Sequence, residues 1–409
     1  MTETDRTSIN AFDLAQPPIG FIENPYPFYT RLREEAPIKR MSDGSALLSR
    51  HADLEAVYKR PDAFISDKKI EFAPKFGVGT PLYEHHTTSL VFNDRPLHTR
   101  VRKLIAAALT PRAIIALEPE LIGLIDILLD AMESKGTADL IEDFAAAIPI
   151  EVIGNMLNVP HTERGPLRRW SLAILGALEP APKKGILENG NNAVLEFMDY
   201  LKALISERRR NPLDPAHDIL TRLIGEDVQG DRLTESELLH QCIFLLNAGH
   251  ETTTNLIGNG LVLLAEKPKS RMALLENPEL IKSAVEECLR YESSNQLGNR
   301  RCVQTTEISG ERIEAGTPIT LCIGAANRDP HAFEDPERFD ITRHPNRHLA
   351  FGTGIHQCVG MNVARIEGAV AIGRFVKRFP KFIINAAPTR SRRIRFRGFI
   401  EIPCNLGVC

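Results

Sequence analysis

The sequence predicts a mainly α-helical protein with a smaller β-rich lobe, and three observations carry that prediction. Apolar residues recur with a 3.6-residue period between about 97 and 290, notably from Glu118 to Met132, Ala193 to Arg208 and Thr234 to Glu266. Short strand-like runs, Ile38 to Leu48, Glu307 to Ile323 and Arg393 to Pro403, gather outside that region, in stretches of about 30–60 and 300–409. No internal repeat or low-complexity linker divides the chain, although 27 prolines and 27 glycines punctuate it, so residues 1–409 read as one domain.

Composition narrows the function classes. The net charge of −3, with Lys and Arg scattered rather than in runs, argues against nucleic-acid binding. The N-terminal residues carry charge early and contain no apolar stretch approaching the ~20 residues of a membrane span or a signal-peptide core. A soluble, cytosolic monomer without membrane attachment is expected. The seven cysteines (242, 288, 302, 322, 358, 404 and 409) include no C-x-x-C pair, which fits reduced thiols better than a disulfide framework or a zinc site.

From the N-terminal side, the segment Ser66 to Phe92 is rich in Pro, Gly and aromatics with weak periodicity and reads as a long ordered loop, a feature that tends to be functional. Its His85-His86 and Lys68-Lys69 pairs read as surface. His98 and Arg102 lie four apart at the start of a helix, where they either present donors to an anion or form a solvated face. The helix opening at Thr234 has a capping box with Glu237 and is stopped by Pro268, a length on the order of 50 Å. Its centre, Asn247-Ala248-Gly249-His250-Glu251-Thr252-Thr253-Thr254, contradicts its own secondary structure, since Gly costs ~1 kcal/mol and each Thr ~0.5 relative to Ala. Such conflicts tend to mark functional sites. Thr252 can turn its hydroxyl to the Ala248 carbonyl, bending or bulging the helix beside a small-residue notch. There Glu251 and Thr252 form a plausible proton-delivery pair, Glu251 drawing protons from solvent; the alternative is an exposed Glu beside a back-bonded Thr.

Glu287 and Arg290 lie three apart on a helix, and Arg338 follows in irregular chain; together they make either a rigid buried cluster or an ordinary surface pair. Finally, residues 351–360 read Phe-Gly-Thr-Gly-Ile-His-Gln-Cys-Val-Gly. Gly352, Gly354 and Gly360 let the backbone approach a large flat ring, and N–H groups together with the following helix favour a thiolate at Cys358. A buried filler, or a hydrolase nucleophile activated by His356, remains open on this loop alone.

Taken together, these motifs resemble the soluble bacterial cytochromes P-450, haem-thiolate monooxygenases, from Asn24-Pro25-Tyr26-Pro27 to Gly398-Phe399-Ile400. The resemblance implies a haem b sandwiched between the central helix and the helix after the Cys loop, with Cys358 as iron ligand. It implies that Phe351, Gly352 and Ala248 border the haem, that His98, Arg102, Arg300 and His356 bind its propionates, and that Glu287, Arg290 and Arg338 form a structural triad. Arg301, directly after Arg300, leaves that register open by one residue. The implied substrate pocket takes in Phe72, Phe76, Leu90, Phe92, Phe244, Asn247, Leu297 and Phe399, each of which could equally be core; residues 179–192 would form a mobile connection over its entrance. The polar Asn247 could anchor a substrate carbonyl or hydroxyl, or be a satisfied helix amide. The implied reaction is NAD(P)H-driven oxidation, such as hydroxylation, of an apolar or aromatic small molecule by O2. Electrons would come through a separate ferredoxin or flavodoxin docking near Arg100, Lys103 and Arg365. A peroxide-driven enzyme, or a haem module that never turns over, is the alternative.

Overall fold

The helix Glu235–Glu266 is the axis of the structure, a computed structural model that describes residues 9–215, 218–225 and 232–407. Its start is set by the capping box: Thr234 Oγ1 accepts from Glu237 N at 3.2 Å, and the Glu237 carboxylate accepts from Thr234 N at 2.8 Å. From Leu238 to Leu264 it is buried on nearly every face, so its apolar side chains need no single stripe. Around it pack the helices Ala147–Met156, Gly165–Gly176, Lys184–Arg210 and Met361–Arg378. The helix remains regular through Gly249 and the threonines; the expected bulge is absent, because the Thr252 hydroxyl reaches the Ala248 carbonyl (2.8 Å) within ordinary helical geometry.

The β portion is smaller. One five-stranded sheet runs Ile38–Arg40, Ala46–Leu48, Pro318–Cys322, Leu297–Cys302, Phe64–Ile65, with only the second and third strands parallel. Alternation along Leu297–Cys302 separates the two adjacent arginines: Arg300 is buried, whereas Arg301 turns to Glu71 (3.1 Å) and the Gly316 carbonyl (2.7 Å). The chain is 56% helical overall, and the mainly α prediction holds.

One further expectation fails locally. The 66–92 segment is not a loop but two short helices, Lys69–Phe76 and Pro81–Thr88, then a 3₁₀ turn at Leu90–Phe92. Gly77, at φ 86°, ends the first helix, and Thr80 caps the second by accepting from Tyr83 N, with Pro81 at its first position. Gln241 of the central helix fixes this segment from below, accepting from Leu90 N (3.1 Å) and donating to the Thr88 carbonyl (2.7 Å). Within 179–192, helix resumes at Lys184.

Candidate active site

In the Cys loop, Cys358 N donates to the Phe351 carbonyl at 2.9 Å and Gln357 N to the Gly354 carbonyl at 3.1 Å, curling the chain under the sulfur. Gly354 has φ 72°, and a Cβ there would lie 2.5 Å from the Tyr58 carbonyl oxygen, so this turn admits glycine alone. Beyond Gly360 the helix Met361–Arg378 runs away from the sulfur. Cys358 borders a cavity and is exposed within it. The protein packed around the sulfur pushes its pKa up by desolvation, against the Gly360 N–H and the positive charges of Arg102 and Arg365. The loop geometry therefore does not by itself yield a thiolate; a metal cation at the sulfur would, since a coordinating thiol is deprotonated outright.

The cavity is about 360 Å³ and largely apolar. Phe351, Gly352, Cys358 and Gly360 lie on one side of it; Ala248, Gly249 and Thr252 of the central helix line it too. His98, Arg102, Arg300 and His356 also line it. The His98 and His356 rings are 4.1 Å apart, and His356 Nε2 lies 3.4 Å from Asp94 Oδ1. Burial and the neighbouring His356 and Arg102 charges hold His98 down to about 4, and its Nε2 is buried without a partner. Burial also lowers Arg102 and Arg300 from their ordinary value. A cluster of donors and cations so poorly neutralised, an unpartnered imidazole nitrogen and an open thiol fit a flat group carrying both a metal and carboxylates. Among the described residues no three His, Cys, Asp or Glu side chains could hold a metal, so the other ligands would have to come from such a group.

The comparisons with known proteins agree with this geometry. Residues 183–395 match the family model for cytochrome P450. The biotin biosynthesis cytochrome P450 of Bacillus subtilis is 36% identical over 394 residues, covering 94% of this chain and 96% of its own. The chain belongs to the cytochrome P450 family. A crystal structure of P450BioI with an acyl carrier protein ligated to hexadec-9Z-enoic acid superposes with a TM-score of 0.88 at 35% identity, over 94% of this chain and 99% of that one. CYP109E1 from Bacillus megaterium in complex with testosterone gives a TM-score of 0.86 at 31% identity, over 94% and 98%. This P450 is accordingly a monooxygenase, an oxidoreductase of a family that holds haem iron by a thiolate and draws electrons from a redox partner. Among its described residues no helix is long and apolar enough to cross a membrane.

Several residues lie elsewhere than the sequence suggested. Leu90, Phe92, Phe244, Asn247 and Leu297 line the cavity; Phe72, Phe76 and Phe399 do not. Phe72 and Phe76 form a layer behind it, packed on His86 and Phe92. Phe399 is in the core under the Arg390 guanidinium (3.9 Å), and the chain reaches the cavity earlier, with Arg395 and Phe396. His85, His86 and Lys68 are buried rather than superficial; Lys68 pairs with Glu71 at 3.1 Å, and both histidines line the cavity.

The triad is also different in its third member. Glu287 and Arg290 are fully buried and joined by two hydrogen bonds of 2.7 and 2.8 Å. The Arg338 side chain, however, is 69% exposed and turns to Asp340. Arg343 reaches Glu287 instead, at 3.2 Å, while Arg338 contributes only its carbonyl, an acceptor for Arg290 and Arg343.

Glu251 does not face solvent. It is buried against Arg393, whose Nη1 lies 2.5 and 2.6 Å from its two oxygens. Burial and, less strongly, nearby Glu179 raise it to about 7 although the Arg393 charge opposes this. Of the expected docking charges, Arg365 is engaged by Glu286 through two 2.8 Å bonds, and Arg100 by Glu237 and the Arg232 carbonyl. Neither Arg343 nor Arg393 was visible as a site residue in sequence. Only the density of arginines after 389 signals the second.

Proposed function

We propose that this P450 uses haem b to hydroxylate a predominantly apolar small molecule, with NAD(P)H electrons delivered by a separate ferredoxin or flavodoxin. The observation that carries this reading is a single cavity bordered by Cys358, by the Ala248 to Thr252 stretch and by four side chains able to bind carboxylates. Haem, when bound, supplies the activation of O2 and the transfer of one of its oxygen atoms into a C–H bond. Cys358 would ligate the iron, and His98, Arg102, Arg300 and His356 would hold the propionates.

The chain's own part is positioning, exclusion of water and proton supply. Leu90, Phe92, Phe244 and Leu297 provide an apolar wall for the substrate. The Thr252 hydroxyl, fixed by its bond to the Ala248 carbonyl, has its lone pairs free to accept from a water in the cavity. Glu251, poised near neutrality, would pass protons toward that water once Arg393 releases it. The fatty acyl chain and the steroid named for the two solved relatives are both largely apolar, which agrees with such a wall.

The test is the spectrum of the reduced protein with carbon monoxide, for wild type and Cys358→Ala, followed by turnover with NADH and a surrogate ferredoxin system. A strongly red-shifted Soret band lost in the variant, with ferredoxin-dependent oxidation, is expected. A histidine-type band overturns the Cys358 assignment, and oxidation supported only by hydrogen peroxide overturns the donor assignment.

A further inference from the structure

Four arginines of the segment 390–397 are buried or half-buried, and three of them meet a carboxylate: Arg390 and Arg397 meet Glu292, and Arg393 meets Glu251. Arg395 is the exception. Its guanidinium lines the cavity, where it donates only to neutral oxygens, the Leu297 carbonyl at 2.8 Å and Asn299 Oδ1, and its Nε is buried without a partner. Among the described residues it forms no ion pair. A guanidinium facing an apolar cavity with no carboxylate in contact is costly, because its desolvation is offset only in part, by the more distant charge of Glu179.

The side chain is nevertheless held in place. The Glu179 carboxylate accepts from Ile394 N (2.9 Å) and Arg395 N (3.2 Å), and the Arg395 carbonyl accepts from Gln296 N (2.8 Å). Backbone clamped on both sides presents the fork of donors in one orientation, which lowers the ordering cost of binding a planar oxyanion.

Other polar groups on the same cavity also lack partners. Asn247 Oδ1, His85 Nδ1 and His86 Nε2 are unpaired, and each residue is at least 97% buried. They connect in space: the His85 and His86 rings are 4.9 Å apart, and Asn247 Nδ2 lies 3.5 Å from His85 Nε2. Burial, helped by the positive charges of Lys75 and Arg395, lowers His86 to about 3, and burial also lowers His85, so each histidine is neutral and keeps one N–H to donate. Around this group Arg393 and Arg395 stand with Lys75, which burial lowers to about 7, against Glu179 and Glu251, the latter raised to about 7, so the balance is positive. Lys75 Nζ is occupied by the Glu179 carbonyl at 2.7 Å, and Arg393 by Glu251, which leaves Arg395 to supply that excess to the cavity.

We infer that Arg395 anchors a carboxylate of the substrate, with the Asn247, His85 and His86 group as the polar surface beside it, so that this P450 acts on small organic acids whose apolar body faces Cys358. The inference deepens the monooxygenase reading and rests on haem being bound at Cys358. It changes the expected substrate from merely apolar to amphipathic, with the acid holding one end of the molecule so that the oxidised carbon is chosen by its distance from that end.

The test uses the haem-loaded enzyme and matched pairs, decanoic, hexadecenoic, cinnamic and abietic acids and the methyl ester of each, titrated by the spin-state shift of the Soret band. In wild type at least one acid is expected to bind on the order of 10- to 100-fold more tightly than its ester, the range of one charge-assisted hydrogen-bond pair. In Arg395→Leu that ratio should fall to near one with ester affinity retained, and Arg395→Lys should recover part of it. Shifts from esters only, from no acid, or with equal strength from both forms overturn the inference. So does loss of haem from Arg395→Leu with an unchanged acid-to-ester ratio in the haem that remains, which would make Arg395 a cofactor ligand. The reduced carbon monoxide spectrum of the same samples separates these results from failure of the thiolate reading, which would alter the wild-type band itself.

Discussion

Replacing Arg343 with alanine should destabilise the protein far more than the same change at Arg338. The Glu287 carboxylate, fully buried, accepts from Arg290 (2.7 and 2.8 Å), Asp340 N (2.8 Å), Asn346 Nδ2 (3.1 Å) and Arg343 (3.2 Å). Arg343 is 10% exposed at its side chain and also donates to the Glu334, Asp335 and Arg338 carbonyls. Removing it leaves Glu287 paired with Arg290, so the loss is that of a charge-assisted hydrogen bond rather than an orphaned ion, about 1.5–3 kcal/mol. Arg338→Ala keeps the carbonyl on which Arg290 depends and removes a solvated side chain, within about 0.5 kcal/mol. Glu287→Ala leaves Arg290 buried and uncompensated and should cost about 3–5 kcal/mol. Urea unfolding of the haem-loaded protein, followed by far-ultraviolet circular dichroism, gives the three midpoints. An Arg338→Ala loss equal to or larger than that of Arg343→Ala would refute the assignment, as would additivity of Glu287→Ala and Arg343→Ala in a double-mutant cycle.

Four further outcomes are expected. Thr252→Ala should keep substrate-induced spectral shifts while diverting NADH electrons into hydrogen peroxide, measured as peroxide formed per NADH consumed; tight coupling in the variant would exclude the hydroxyl from proton delivery. Arg393→Leu removes the cation that favours ionised Glu251, so Glu251 stays protonated to higher pH and the alkaline limb of the pH profile for product formation should move upward from the region of about 7; an unmoved limb would mean that Glu251 does not limit turnover. Burial raises Glu367 to about 8, so its contribution to stability is complete below the ordinary carboxylate value of 4.5 and is lost as pH rises through 8; Glu367→Gln should flatten the fall of Tm over that window, and parallel Tm curves would contradict it. Gly354→Ala places a Cβ against the Tyr58 carbonyl at positive φ, so the haem content of the purified protein should drop sharply, and full haem loading would show that the loop is not constrained as described.

What the sequence discloses here depends on how local the determining contact is. Thr234 and Glu237 are three residues apart, and the capping box between them forms as read. Glu287 and Arg290 meet across one turn for the same reason. By contrast, Arg338 and Arg343 lie in irregular chain, where no periodicity says which side chain turns inward, and only the tertiary structure selects Arg343. The helices Lys69–Phe76 and Pro81–Thr88 have eight residues each, about two turns, too few for a repeating apolar pattern, although Gly77 and Thr80-Pro81 mark their ends. Arg300 and Arg301 were separable in principle by strand alternation, but only once the strand's paired register was known.

The pairing of Glu251 with Arg393 spans 142 residues and has no signal in either neighbourhood, yet it bears most directly on mechanism. Glu251 is adjacent in sequence to Thr252 and is locked to a segment that also supplies Arg395 and Phe396 to the cavity wall. Arg393 Nη2 in addition donates to the Leu172 carbonyl (3.0 Å), and Glu179, just beyond the helix Gly165–Gly176, holds the backbone of Ile394 and Arg395. One network thus ties Glu251, the cavity wall at Arg395 and Phe396, and the helix Gly165–Gly176. A displacement of the 391–398 segment by a bound substrate would loosen Arg393 from Glu251, and with that cation withdrawn Glu251 would take up a proton, so that loading of the proton carrier would follow occupation of the cavity rather than precede it. In an enzyme of this family that order matters, because protons delivered without substrate in place would be spent on peroxide and water.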